Sequence, residues 1–210
     1  MKSLNTFLVE SKNLHLEHLE DEIFNRGSAG ANEAMNFIDS LVTMLQGNSN
    51  RKMNVTVKWD GAPSLFAGIN PENGKFFVAT KSLFNKTPKI NYTNADIDAN
   101  HGGGLADKLK IALKYLPKLG ITGVLQGDML FTSDDVKTET IDGQSMYTFT
   151  PNTITYAVPV DSKLGSQISS ANMGIVFHTT YTGKTIADLM ANFGADVSGL
   201  RKSNKVWYQD

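Results

Sequence analysis

The chain has no cysteine among its 210 residues. That removes disulfides and thiolate metal sites from consideration and fits a reducing compartment. No apolar run reaches the length of a membrane-spanning helix, and the first residues carry no apolar signal core, so neither a membrane association nor a secretory leader is expected. Net charge is nearly absent: 20 Lys and Arg against 21 Asp and Glu leave −1. A broadly basic nucleic-acid-binding surface is thereby excluded, and any grip on a polynucleotide must come from a local patch or a further domain. Histidine is scarce, at four residues, and no Ser-His-Asp or Cys-His order is recognisable. What remains, 40% apolar and 20% charged residues, is the composition of one ordinary globular domain with an ample core. An intracellular protein is expected, in the host cytoplasm if its source is viral.

The hydrophobic pattern predicts an α+β domain with mainly antiparallel pairing. Residues 1–47 read as a helical segment of two helices. The first runs from about Asn13 to Phe24 and ends near Arg26-Gly27. The second runs from about Ala31 to Leu45 on the stripe Ala34, Phe37, Ile38, Leu41, Met44 and Leu45, and stops at Gly47. From Val55 to Lys81 β-rich segments alternate with turns at Asp60-Gly61 and Asn70-Pro71-Glu72-Asn73-Gly74. Residues 85–104 read as a polar loop whose end, His101 to Gly104, is mobile. A helix is expected from Leu105 to about Leu119, strands at 121–131, 145–149, 153–159 and 173–181, and a last helix from about Ile186 to Phe193. There is no internal repeat and no long linker, so 1–210 is read as a single domain.

Three segments carry chemistry. In Val55-Thr56-Val57-Lys58-Trp59-Asp60-Gly61 a lysine ends an alternating run, two residues before an acid and a glycine. On a strand, residues i and i+2 face the same way, so Lys58 and Asp60 point into one cleft. A lysine amine attacks only when unprotonated, which requires nearby cations or partial desolvation. Gly61 leaves the chain free to turn beside a ligand without a side chain in the way. In Gly123-Val124-Leu125-Gln126-Gly127-Asp128-Met129-Leu130-Phe131 an acid interrupts an apolar run. A carboxylate there is costly unless it meets a cation, and its hard oxygens suit Mg²⁺. In Phe76-Phe77-Val78-Ala79-Thr80-Lys81 a basic residue closes an apolar strand.

In order and spacing these segments resemble the covalent nucleotidyltransferases, the superfamily of ATP-dependent DNA and RNA ligases and mRNA capping enzymes. The first is similar to their K-x-D-G motif, the second to their acidic strand with Asp128 in place of the usual Glu. Lys81 stands where ligases place a basic residue that reaches the nucleotide. Nearly the whole chain also resembles an uncharacterised family of ligase-like tailed-phage proteins, through Lys12 to Asp21, Val57 to Pro63, Leu125 to Asp128 and Val176 to Tyr181. The resemblance implies a ligase-type adenylation domain with flanking helices, and no OB domain is recognisable in the sequence. It implies Lys58 as the nucleophile that takes AMP from ATP. Thr56, Val57, Asp60, Gly61, Lys81 and Asp128 would form the nucleotide site, Asp128 would hold Mg²⁺, and Tyr156 would stack on the base. Nicked or broken DNA or RNA would be the partner, with Lys86 and Lys89 as its local basic patch, and a monomer is expected. The chain departs from that pattern after the K-x-D-G, where Ala62, Pro63 and Ser64 stand in the region of a nucleotide-holding arginine. Met173-Gly174 takes the place of a later Glu-Gly, and Lys202 and Lys205 are weak substitutes for the closing lysine pair. These departures keep open a non-catalytic nucleotide-binding or virion module on the same fold.

Other signals fall short. Gly183-Lys184-Thr185 follows a strand as a P-loop does, but His178 stands where the earlier glycine is required. His15 and His18 share a helix with Glu17 and Asp21 but find no third ligand. His178 lies in a β-rich run, where a nucleotide role stays open.

Overall fold

The computed structural model describes residues 19–47 and 59–210, which fall into two compact units divided at Lys58 and Trp59. The smaller is helical. Helix α1 spans Asp21–Leu45 and is broken at Gly27, whose φ of 58° and ψ of −133° only glycine adopts readily. The break turns the chain so sharply that a Cβ on Gly30 would lie 1.9 Å from the carbonyl oxygen of Glu22. Arg26 and Glu33 close across it as a charge-paired fork, and the pairing raises the guanidinium above its ordinary pKa. The expected division into two helices near Gly27 is therefore present, the two helical stretches of α1 meeting at this break.

The larger unit is α+β with antiparallel sheets and flanking helices. Strands β1 (Ser64–Ile69) and β2 (Phe76–Ala79) form a hairpin about the expected turn, where the Asn70 side chain accepts from the Glu72 amide. The stretch expected as a polar loop holds helix α2 (Asn94–Asn100). Thr93 and Asp96 cap each other's backbone amides there, a T-x-x-D box overlooked in the sequence. Hydrogen bonding to Thr93 lowers the Asp96 pKa. Gly102 and Gly103, expected to be mobile, instead start helix α3 (Gly103–Tyr115), with Gly103 at a φ of 59°. A 3₁₀ turn continues α3 to Leu119.

Strand β3 (Val124–Thr132) lies at the centre of a six-stranded sheet. Strands β4 (Lys137–Ile141), β5 (Gln144–Phe149) and β6 (Tyr156–Pro159) make a separate antiparallel sheet. Helix α4 (Lys163–Ser170) leads into β7 (Met173–Thr182), followed by β8 (Met190–Phe193) and β9 (Val206–Gln209). The six-stranded order is β2-β1-β3-β7-β8, with β9 running parallel to the first part of β7. The helix expected over 186–193 is instead a turn closed by Thr185 and Asp188, then β8. Among the described residues no helix is long and apolar enough to cross a membrane.

The two sides of this sheet differ. One carries Leu65, Ala67, Leu125, Met129, Ile175 and Phe177 in an unbroken core with Ala106, Leu109 and Ala112 of α3. The other carries two separate apolar clusters. One gathers Phe66, Phe77, Val124 and Tyr181; the other joins Leu130, Phe131 and Val176 to Phe149, Val158 and Ile168 of the second sheet and α4.

Candidate functional site

Between those two clusters the strands present polar residues. Ser64 pairs with Asp128 and Phe66 with Gln126 across β1 and β3. Alternation therefore puts Ser64, Gln126 and Asp128 on the side away from α3. On β7 the register slips between Thr179 and Phe177, opposite Gln126 and Gly127, so that His178 is the extra residue of a bulge. A bulge re-aims the side chain it carries. The His178 Nε2 comes to 3.5 Å from the Asp128 carboxylate, while its Nδ1 shares a 2.8 Å hydrogen bond with the buried Thr179 hydroxyl. The Asp128 side chain is 18% exposed, enough for a ligand to reach.

The segment from Gly61 to Pro63 docks directly on this strand. The Ala62 amide donates to the Met129 carbonyl at 3.0 Å, and the Met129 amide to the Pro63 carbonyl at 3.1 Å. The fit leaves no room at Gly61, where a Cβ would sit 2.8 Å from the Cβ of Asp128 and 2.9 Å from the Met129 oxygen. Gly61 is thus small because β3 lies against it, a tighter constraint than the open turn expected. Asp60 is held from the other side. Asn152 and Thr153 donate to its carboxylate at 3.2 and 3.1 Å. Its amide donates to the Tyr156 hydroxyl at 2.8 Å, and that hydroxyl lies 3.2 Å from the Asp60 carbonyl. The Trp59 ring packs 5.3 Å from Tyr156 and 5.9 Å from Trp207. Two motifs distant in the sequence, Asp60-Gly61 and Gly127-Asp128, therefore meet at one place.

The remaining expected residues are less closely gathered. Tyr156, expected to stack on a base, stacks on Phe149 at 5.5 Å and anchors the Asp60 backbone. Lys81 opens a 3₁₀ turn two residues beyond Ala79, whose partner is Phe66. It leaves the sheet at the Ser64 end of β1, with its side chain exposed. Lys86 and Lys89 are exposed on the following loop, and the Lys89 ammonium donates to the Asn100 carbonyl at 3.3 Å, at the end of α2. That charge, after burial as the larger cause, holds His101 below its ordinary pKa. Lys58, Thr56 and Val57 lie outside the described residues, as do His15 and His18. Two surface cavities of about 520 and 390 Å³ lie elsewhere, lined by Lys202, Asn204 and Gln209, and by Lys110, Tyr115 and Asn172; neither is lined by Asp60 or Asp128.

Gln126, Ser64 and Tyr181 were not anticipated. The Tyr181 hydroxyl donates to the Gln126 Oε1 at 2.8 Å, and the Gln126 Nε2 donates to the Ser64 hydroxyl at 3.0 Å. Counting back two from Asp128 along a strand would have found Gln126.

Among the described residues no three His, Cys, Asp or Glu side chains gather as a metal cage. Magnesium does not require one: it keeps several waters and binds through one or two carboxylates plus substrate phosphates. A single reachable carboxylate at Asp128 fits that habit.

A family model matches residues 13–210, described as a family of unknown function (DUF6267). No curated protein and no solved structure matches the chain.

Proposed function

The chain belongs to this family of unknown function, and on that premise we propose that it is a nucleotidyltransferase of the ATP-dependent polynucleotide ligase type. The observation that carries the reading is the docking of Asp60-Gly61 against Asp128, which brings the two best-matched motifs of the resemblance to one site. In this reading the Lys58 amine, having lost its proton to solvent, attacks the α-phosphorus of ATP. A nitrogen–phosphorus bond forms, the bond from that phosphorus to the β-phosphate oxygen breaks, and pyrophosphate leaves. AMP then passes to a 5′-phosphate end, and a 3′-hydroxyl displaces it to seal the strand. Asp128 would hold Mg²⁺, which when bound spreads the charge of the phosphates. Lys81 adds positive charge at that end of the sheet. Asp60, fixed by Asn152, Thr153 and Tyr156, orients the ribose or the nucleophile.

The test is intact-mass spectrometry after incubation with ATP and Mg²⁺. A gain of one AMP, abolished by Lys58→Ala in a protein that still melts cooperatively, is the expected result. Arginine will not replace the lysine, because its guanidinium stays protonated. An adduct that persists in Lys58→Ala moves the nucleophile elsewhere. Nucleotide binding with no adduct in the wild type would favour a non-catalytic module on this fold.

A further inference from the structure

The hydrogen bonds from Tyr181 through Gln126 to Ser64 have a direction. Tyr181 is almost fully buried, and burial pushes its pKa up to about 12, so the phenol keeps its proton and donates it to the Gln126 carbonyl oxygen. An amide has its acceptor on one arm and its donors on the other. With the oxygen committed to Tyr181, the NH₂ must face Ser64, and there it donates to the hydroxyl oxygen. The Ser64 proton is then directed away from Gln126. Ser64 is exposed, and its strand partner is Asp128, so its proton is available to a ligand that reaches Asp128. Accepting from Gln126 denies the serine rotor one of its orientations before a ligand arrives, so less entropy is lost on binding.

We infer that Ser64 is a recognition residue of this site, giving its hydroxyl proton to an acceptor oxygen of the nucleotide, with Gln126 and Tyr181 as positioning residues behind it. The inference rests on the nucleotide reading above. It supplies a contact from this chain's own residues just past the K-x-D-G, where the resemblance leads to an arginine and finds Ala62-Pro63-Ser64 instead. The acceptor oxygen belongs either to the ribose or to a phosphate, and the choice of ligand separates these.

The experiment is calorimetric or NMR titration of the full chain with AMP and with adenosine, in the wild type and in Ser64→Ala, Ser64→Thr and Tyr181→Phe. One neutral hydrogen bond corresponds to roughly a 3- to 10-fold change in affinity. Ser64→Ala is expected to weaken AMP binding by that factor, and Ser64→Thr to restore it. Tyr181→Phe, which touches no ligand, is expected to weaken binding in the same direction, because the amide is freed to turn its oxygen toward Ser64. A loss repeated with adenosine assigns the ribose; a loss with AMP alone assigns the phosphate. Thermal melts identify a variant that fails to fold, and Ser64→Ala, at an exposed position, serves if Tyr181→Phe does not fold. Wild-type binding of AMP with unchanged affinity in Ser64→Ala overturns this inference and leaves the nucleotide reading standing. Absence of AMP binding in the wild type overturns both.

Discussion

Under α3 the central strands present Leu65, Leu125, Met129, Ile175 and Phe177, each of them buried. On the reverse the same strands present Ser64, Gln126, Asp128 and His178 between two aromatic-rich clusters. The first side follows what burial favours at every position. The second interrupts its own core with the exposed Ser64, three part-buried polar side chains and a β-bulge, and part-burying polar groups costs free energy that packing does not return. Where a fold departs from consistent apolar packing in one confined place, function is the reason to look for. The comparison thus separates residues that hold the sheet together from residues that the sheet holds up.

That separation can be broken from either side. The largest effect on stability is expected from Leu109→Ala, beneath the unbroken side. Removing a fully buried leucine should cost about 2–5 kcal/mol in urea denaturation. A smaller loss would mean that α3 settles into the space. Next comes Gly61→Ala, which acts on both counts. Its methyl group meets the Cβ of Asp128 and the Met129 carbonyl, so the Trp59 to Pro63 segment must shift. The expected cost is about 1–3 kcal/mol, with adenylation falling as well. Full activity in a stable Gly61→Ala protein would show that the docking of this segment is not needed. The smallest effect on stability is expected from Asp128→Asn, which keeps the shape and should change the melting free energy by no more than about 1 kcal/mol. Adenylation, in contrast, should slow by roughly tenfold or more with a weakened response to Mg²⁺, as one hard anionic ligand is lost. Unchanged kinetics across a Mg²⁺ titration would reduce Gln126-Gly127-Asp128 to ordinary sheet.

The elements that could be read from the sequence were those with a strong local signal. The β1–β2 hairpin follows from its Asn-Pro-Glu-Asn-Gly turn, and β3 and β7 from their long apolar runs. The missed elements lack such runs. Strand β4 (Lys-Thr-Glu-Thr-Ile) is exposed along most of its length. Its evidence lay in the Asp142-Gly143 turn, where both residues have positive φ. Helix α4 is rich in serine and poor in helix formers, and its one clear sign was Ser162, whose side chain caps Gly165. Met190 to Phe193 looked helical because four residues are too few to show a period; tertiary pairing with β7 decides it. For the site, the meeting of Asp60-Gly61 with Asp128 was legible through motif order. The involvement of Gln126, Ser64 and Tyr181 was not, because it depends on the β1–β3–β7 register. His178 hinges on a bulge that no local pattern announces.

Strand β3 takes its partners from afar: Ser64 pairs with Asp128, and Val124 with Tyr181, while the β1–β2, β4–β5 and β5–β6 pairings join neighbours in the chain. Ring closure over long stretches is entropically costly and tends to come late. The polar strip is assembled from these distant pairings. A chain emerging from synthesis or recovering from denaturant can therefore own all its hairpins and still lack the polar strip, which is assembled only when β1 and β7 arrive beside β3.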